Sequence, residues 1–178
     1  MAEYSMQKVS VSELNPQNYV GVDNLLKDRG GKKQAAYLPD NGNVTQYFKQ
    51  DVLIGNIRPY LRKIWYSNQS GGASGDVLIV QNKTRNAIRS RYLYQVLSDD
   101  SFFHYNMQNA KGSKMPRGNK EAIMKYQFIL PPLSQQAHIV SILDKFDELT
   151  ASMSQGLPRE IEQRQKQYEY FRDKLLKF

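Results

Sequence analysis

The stretch Gln127–Phe146, QFILPPLSQQAHIVSILDKF, joins two different kinds of structure. Its first residues are apolar and strand-like, and a pair of prolines then ends the strand because proline has no backbone N–H to donate to a ladder. The hydroxyl of Ser134 is suited to accept from the free N–H groups of a first helical turn, so we expect it to be the N-cap. The stretch therefore predicts a globular domain over residues 1–133 and a helical segment over residues 134–178.

The helical segment carries an apolar stripe. Its apolar residues recur every three or four positions, which places them on one face of a helix. Gly156 and Pro158 predict a kink near 156–158, since proline fits the first turn of a second helix. The stripe packs either onto the chain's own domain or against another helix, in this chain or in a second copy. The residues we expect between helices are Ile139, Ile142, Phe146, Leu149, Met153, Ile161, Tyr168, Phe171 and Leu175.

The preceding domain contains strand patterns. Residues 51–66, DVLIGNIRPYLRKIWY, are rich in β-branched, aliphatic and aromatic side chains and predict paired strands. Gly55 and Pro59 interrupt them and indicate a bulge or bend. VLIVQN, which ends at Asn82, predicts a buried strand.

Turn and helix patterns complete the domain. Residues 68–76, NQSGGASGD, predict a turn, and residues 90–107 predict one or two helices. Residues 123–130 predict a last short strand. The fold class expected is α+β: a twisted, mostly antiparallel sheet with flanking helices, followed by a coiled-coil-like helical segment.

Composition excludes several kinds of site. The chain has no cysteine, so it has no disulfides, thiolate metal sites or cysteine nucleophile. Its two histidines are too few for a three-histidine metal centre. No apolar stretch is long enough to span a bilayer and no signal peptide is apparent, so we expect a cytoplasmic protein without a membrane partner.

Motifs of known enzymes are also missing from the sequence. The stretch Asn15–Tyr19, NPQNY, superficially resembles the Asn-Pro-Pro-Tyr motif of amino-methyltransferases but lacks its spacing, and we interpret it as a turn. The glycine-rich stretches lack the spacing of a phosphate-binding loop. We expect no catalytic residues, metal or cofactor in this chain. A nuclease or methyltransferase with an unrecognised motif stays open as an alternative.

Positive charge is concentrated in the predicted globular domain. The net charge is +8; residues 1–133 hold 18 Lys and Arg against 10 Asp and Glu, whereas residues 134–178 hold seven of each. A basic domain joined to a neutral segment is typical of a polyanion-binding module with a protein-contacting extension, although a basic soluble surface alone would show the same charge.

Three basic clusters lie in or beside predicted loops, accompanied by asparagine and glutamine: the first is Arg29, Lys32 and Lys33, the second is Arg58, Arg62 and Lys63, and the third is Lys111, Lys114, Arg117 and Lys120. Lysine and arginine bind phosphates, while arginine, asparagine and glutamine also pair with base edges in the major groove. The clusters alone predict a protein that binds duplex DNA or RNA. The candidate DNA-binding residues are Lys32, Lys33, Arg58, Arg62, Lys63, Lys111, Lys114 and Arg117.

Several stretches together resemble the specificity subunit of type I restriction-modification enzymes. The resemblance runs from about Tyr19 to the C-terminus and is strongest at its end. The stretches that carry it are DVLIGNIRPYLRKIWY, GGASGDVLIV, KGSKMPRGNKEAIMKYQFILPPLSQQAHIVSILDKFD and GLPREIEQRQKQYEYFRDKLLKF, in that order along the chain.

The resemblance implies a function. In that family a target-recognition domain reads one half of a split site in double-stranded DNA, and a helical region acts as spacer and as docking surface. Modification subunits bind there, carry S-adenosylmethionine and methylate adenine, and restriction subunits add translocation and cleavage. The specificity subunit itself catalyses nothing. The resemblance also implies that bases are read by residues peculiar to this chain, which we expect in 28–50 and 64–76.

This sequence departs from the family in one respect. Family members usually have two recognition domains and two helical regions, whereas this sequence has one of each, as a natural half-subunit or as a fragment would. The resemblance then implies a homodimer that pairs through residues 134–178. A regulatory or decoy half-subunit that occupies modification subunits is the competing interpretation.

Overall fold

The computed structural model describes residues 2–147. The chain divides into two compact units, Met1–Ala137 and His138–Phe178. The predicted kink at 156–158 lies outside the described residues, as do the following members of the apolar stripe: Leu149, Met153, Ile161, Tyr168, Phe171 and Leu175.

Short strands dominate the first unit and three helices follow them. In chain order the strands are β1 Ala2–Tyr4, β2 Lys8–Ser10, β3 Tyr19–Val20, β4 Asn43–Tyr47, β5 Val52–Gly55, β6 Ile64–Tyr66, β7 Gly71–Ala73 and β8 Val77–Asn82. The helices are α1 Ser90–Ser98, α2 Asp100–Gln108 and α3 Lys120–Met124, and 3₁₀ turns cover Val11–Glu13 and Pro59–Leu61.

The first sheet has the order β1-β8-β5-β6 and is antiparallel throughout. It confirms the strand pair predicted in residues 51–66 and the buried strand that ends at Asn82. Leu53 and Ile54 of β5 are completely buried, because β5 lies between two neighbours and is covered on both faces. Pro59 does not bulge a strand but begins a 3₁₀ turn between β5 and β6.

The second sheet has the order β2-β4-β7-β3 and is mixed, because β3 runs parallel to β7. The prediction of a turn over 68–76 was wrong, since β7 lies there and pairs on both sides. Glycine is required in this strand: a Cβ on Gly71 would lie 2.0 Å from the Asn18 carbonyl oxygen and 2.8 Å from the Tyr47 hydroxyl. Strand predictions depend on β-branched and aromatic side chains, so a strand made of glycine and alanine is not predicted.

The core of the first unit lies between the two sheets. Val20, Tyr47 and Ala73 come from the second sheet, and they form one buried cluster with Leu53 and Ile79 of the first. The Tyr47 hydroxyl donates to the Asn18 carbonyl oxygen at 2.9 Å, so the buried phenol is satisfied. Burial raises the pKa of Tyr47 to about 12. The α+β class is confirmed, with two sheets where the sequence predicted one.

The observed helices match the sequence-based predictions only in part. Two helices over 90–107 are confirmed as α1 and α2; the Asp99 side chain caps α2 by accepting from the Ser101 N–H at 2.8 Å. The strand predicted over 123–130 was wrong. The Asn119 side chain accepts from the N–H groups of Glu121 and Ala122, and this cap begins α3 instead.

A further helix covers residues 133–147, as far as the described residues extend. Its predicted N-cap was wrong: the Gln136 N–H donates to the Pro132 carbonyl oxygen at 3.0 Å, so Ser134 lies inside the first turn. Ile142 and Phe146 of the predicted stripe are 41% and 61% exposed, whereas Ile139 is half-buried. Among residues 2–147 no helix is both long and apolar enough to cross a membrane.

Candidate nucleic-acid interface

A cleft of about 360 Å³ collects side chains from four separate parts of the first unit. Its walls are residues 19–23 at the end of β3, residues 57–63 between β5 and β6, residues 74–76 before β8, and Met115. Arg58 and Lys63 line it directly. The cleft therefore joins the second predicted basic cluster to the loop that carries the third.

The segment between β5 and β6 is held in an unusual backbone conformation. Arg58 and Arg62 flank the 3₁₀ turn at φ of +53° and +50°, in the left-handed region. This conformation costs roughly 1–2 kcal/mol for a residue with a Cβ. Backbone hydrogen bonds hold both positions: the Arg58 N–H donates to the Pro116 carbonyl oxygen at 2.8 Å, and the Arg29 N–H donates to that of Arg62 at 3.0 Å. Strained residues of this kind are concentrated at functional sites.

The third basic cluster lies on a closed loop beside the cleft. Lys111 and Arg117 exchange two backbone hydrogen bonds, of 2.9 and 2.8 Å, and so close the loop. The Gly118 N–H donates to the Asn56 carbonyl oxygen at 3.0 Å and fixes the loop to the end of β5. Lys111, Lys114 and Arg117 are exposed. The charges of Lys111 and Lys114 are available to solvent or to a polyanion.

Two lysines of the clusters are partly withdrawn from solvent. The Lys63 ammonium donates to the Val22 carbonyl oxygen at 2.5 Å; burial lowers its pKa, the Asp23 carboxylate raises it and the Lys33 charge lowers it further. Lys32 donates to the Gln17 carbonyl oxygen at 2.6 Å and lies 5.2 Å from the centre of the Trp65 ring. Burial lowers the pKa of Lys32 as well. The Lys33 charge is therefore close enough to act on Lys63. The ammonium groups of Lys63 and Lys32 both contact other parts of the protein.

Arg62 points away from the cleft. Its guanidinium lies 3.1 Å from the carboxylate of Asp100, the first residue of α2. The same carboxylate also pairs with Arg29. Asp100 is about half exposed, so these pairs contribute little to stability. Of the second cluster, the structure thus brings Arg58 and Lys63 into the cleft and turns Arg62 towards α2.

Sequence reasoning missed two carboxylates in the cleft. Asp76 forms an ion pair with Arg117, with 3.0 Å between the guanidinium nitrogen and the carboxylate oxygen. Asp23 also lines the cleft and is exposed. Asp76 ends the stretch 68–76, which the sequence predicts as a turn, and Asp23 carries no recognisable motif. Their position beside arginine and lysine follows from strand pairing across long stretches of chain.

A larger cavity of about 450 Å³ lies elsewhere, between α1, α3 and residues 126–130. It is lined mainly by aliphatic and aromatic side chains and contains no lysine or arginine. It does not suit phosphate. Within residues 2–147 no group of three or more His, Asp or Glu side chains is placed to hold a metal ion.

Comparisons with known proteins agree on one family. Residues 17–163 match the family model of the type I restriction modification DNA specificity domain. A protein of Haemophilus influenzae described as a type I restriction enzyme specificity subunit is 32% identical over 83% of this chain and 39% of its own length. The EcoR124I/EcoR124II specificity subunit of Escherichia coli is 39% identical over 49% of this chain and 22% of its own length.

Solved structures show the same fold. The HsdS subunit of Thermoanaerobacter tengcongensis superposes with a TM-score of 0.63 at 18% identity, over 93% of this chain and 47% of that one. A chain from a structure of the assembling type I restriction-modification system gives 0.62 at 17% identity, over 94% of this chain and 41% of the other. The chain spans less than half the length of these relatives.

Proposed function

Because this chain belongs to the family of type I restriction modification DNA specificity domains, we propose that it recognises DNA sequence and reads one half of a split duplex site. The observation that carries this proposal is the gathering of basic residues from distant parts of the chain around one cleft. Arg58 and Lys63 line the cleft, and the loop with Lys114 and Arg117 stands beside it.

Duplex DNA offers two kinds of group to a protein, backbone phosphates and base edges, and they play different roles in binding. Phosphate contacts supply affinity and orientation, whereas contacts with base edges supply specificity. The exposed cations of the 111–117 loop and Arg58 hold the backbone on either side of the cleft. Groups inside the cleft then meet base edges in the major groove, which is wide enough to admit them.

Catalysis belongs to partner subunits in this proposal. Modification subunits bind S-adenosylmethionine and methylate adenine, and restriction subunits cleave. Two of the comparisons support partners of this kind: the relatives are subunits of type I restriction enzymes, and one solved structure concerns assembly of the type I system. Incubation of the purified chain alone with DNA and S-adenosylmethionine or Mg²⁺ should give neither methylation nor cleavage.

Pairing of two copies completes the proposal. The exposed Ile142 on the described part of the helix supports an interface formed by residues 134–178. A two-fold dimer presents two identical recognition domains, so its target is a palindromic split site whose gap depends on helix length.

Selection from a library of random duplexes tests the proposal directly. The full-length chain should enrich one short motif, repeated in inverted orientation at a fixed spacing. Enrichment of no motif, with equal retention of all sequences, would contradict sequence recognition and favour a decoy role.

A further inference from the structure

Asp23 is an acidic group in a cleft whose basic residues attract DNA. It is exposed and shares the cleft with Arg58 and Lys63. Asp76, the other carboxylate there, is paired with Arg117. Within the part of the chain that the structure describes, the Asp23 carboxylate forms no hydrogen bond or ion pair. Burial raises the pKa of Tyr19 and the Asp23 charge raises it further, while burial lowers the pKa of Lys63 and the Asp23 charge opposes that lowering.

An unpaired carboxylate opposes phosphate binding, because like charges repel. It suits a different group of the duplex. The exocyclic amino groups of cytosine and adenine are hydrogen-bond donors on the major-groove edge, and aspartate accepts from such groups. A carboxylate between phosphate-binding cations is therefore matched to a base edge.

The backbone around Asp23 is fixed by its buried neighbour Asn24. The Asn24 side chain is 1% exposed; its oxygen accepts from the Gly21 N–H at 2.6 Å, and its amide donates to the carbonyl oxygens of Tyr19 and Lys33 at 2.9 and 3.1 Å. The Lys63 ammonium holds the Val22 carbonyl. These contacts fix the backbone on both sides of Asp23, as precise recognition requires.

Gly21 determines where the carboxylate lies. A Cβ on Gly21 would be 2.4 Å from the Asp23 Oδ1 atom, so the side chain folds back over a position that only glycine leaves open. The next nearest atoms would be the Asp23 carboxyl carbon at 3.6 Å and the Asn24 Oδ1 atom at 3.7 Å. An alanine at this position would move the carboxylate and leave the surrounding fold in place.

We propose that Asp23 determines specificity by accepting a hydrogen bond from the exocyclic amino group of one cytosine or adenine in the target. The inference rests on the proposed function. Arg58 and Lys63 beside it contact the flanking phosphates, so the same cleft grips the backbone and reads one base pair.

The test is selection from the random duplex library with full-length variants at one salt concentration. Asp23→Asn keeps the side chain's size but replaces an acceptor oxygen by a donor amide. Gly21→Ala keeps the charge but displaces it. The control is Glu3→Gln, which also removes a carboxylate. Glu3 lies on β1, the edge strand of the first sheet at the opposite end from β6. Its carboxylate oxygen is 2.9 Å from the Lys83 ammonium nitrogen.

Asp23→Asn and Gly21→Ala should each reduce the preference at the same single base pair of the motif by about tenfold or more. Glu3→Gln should retain the wild-type motif. The base that both variants cease to prefer, cytosine or adenine, identifies the amino group that is read.

Two outcomes would overturn the inference. If Asp23→Asn and Gly21→Ala keep the wild-type motif and change only overall affinity, Asp23 acts through its charge and reads no base. If the wild type enriches a motif whose preferences change at every position in both variants, Asp23 supports the site as a whole. A wild type that enriches no motif refutes the proposed function itself, which is a separate result.

Discussion

Arg58 combines a left-handed backbone with a side chain in the cleft. A residue with a Cβ is destabilising in this conformation, whereas glycine adopts it without a steric penalty. The strain is retained although it weakens the fold, which is typical of residues kept for binding. Stability and binding should therefore respond in opposite directions to its replacement.

Arg58→Gly should leave the free energy of unfolding unchanged or raise it by up to about 1 kcal/mol, because the steric strain disappears. The same variant should bind duplex more weakly, with the slope of log K against log salt reduced by about 1. Urea denaturation and fluorescence anisotropy measure the two quantities.

Arg62→Gly is the matched control for this prediction. It relieves the same kind of strain, but its side chain faces Asp100. It should alter the salt slope less than Arg58→Gly does. Equal losses of binding in both variants would contradict the placement of Arg58, and not Arg62, in the cleft.

Residue patterns on the sequence identified the basic clusters but not their arrangement. Arg58, Lys63 and the 111–117 loop were predicted as DNA-binding, and the structure places them together; whether they touch DNA stays a prediction. The contacts of Lys32 with Trp65 and of Arg62 with Asp100 join positions far apart in the chain, so no local pattern shows them. Asp23 was missed because one acidic residue after a short strand has no distinctive signal.

At the scale of elements, the position of the first turn of the C-terminal helix depends on Gln136. Its side chain is completely buried; the oxygen accepts from the Arg89 N–H at 2.8 Å, and the amide donates to the carbonyl oxygens of Ala87 and Pro131 at 2.9 and 2.8 Å. The first helical turn is thereby bound to the chain just before α1.

Gln136→Ala should lower the free energy of unfolding of the first unit by about 3 kcal/mol, because buried backbone groups lose their partners. Gln135→Ala changes an exposed neighbouring glutamine and should alter the free energy of unfolding by less than about 0.5 kcal/mol. Urea denaturation followed by the fluorescence of Trp65, the chain's single tryptophan, measures both. Equal effects of the two variants would show that the buried amide does not hold the helix.

The elements predicted correctly are those with strong apolar patterns: β5, β6, β8, α1 and α2. The failures have local causes. Strand β7 consists of Gly71, Gly72 and Ala73, and its glycines are needed because neighbouring backbone and side-chain atoms approach closely. Helix α3 begins where the Asn119 side chain caps it, in a region whose apolar residues resembled a strand. Such caps and close approaches depend on specific atoms and not on periodicity.

At the scale of the whole molecule, charge and apolar surface are separated along the chain. The excess of positive charge lies in residues 1–133, and the neutral segment carries Ile142 and Phe146 on its described part. A basic domain suits a polyanion, and an apolar helical stripe suits another helix. The proposed dimer depends on the second of these surfaces.

Ile142→Asp in the full-length chain should convert the dimer to a monomer at micromolar concentration, since it places a charge in the helical interface. Ser141→Asp adds the same charge at the neighbouring exposed position and should leave the dimer intact. Sedimentation equilibrium measures both. A monomeric wild type, or a dimer that persists with Ile142→Asp, would show that this stripe does not pair two copies.

The claim on which the account depends is that the cations around the cleft grip duplex phosphates, and salt dependence of binding measures this most directly. Lys114→Gln and Arg117→Gln should each reduce the slope of log K against log salt by about 0.9 and weaken binding to all duplexes equally. Lys83→Gln removes a charge that pairs with Glu3 at the far edge of the first sheet and should leave the slope unchanged. Equal slopes for the wild type and all three variants would contradict the account.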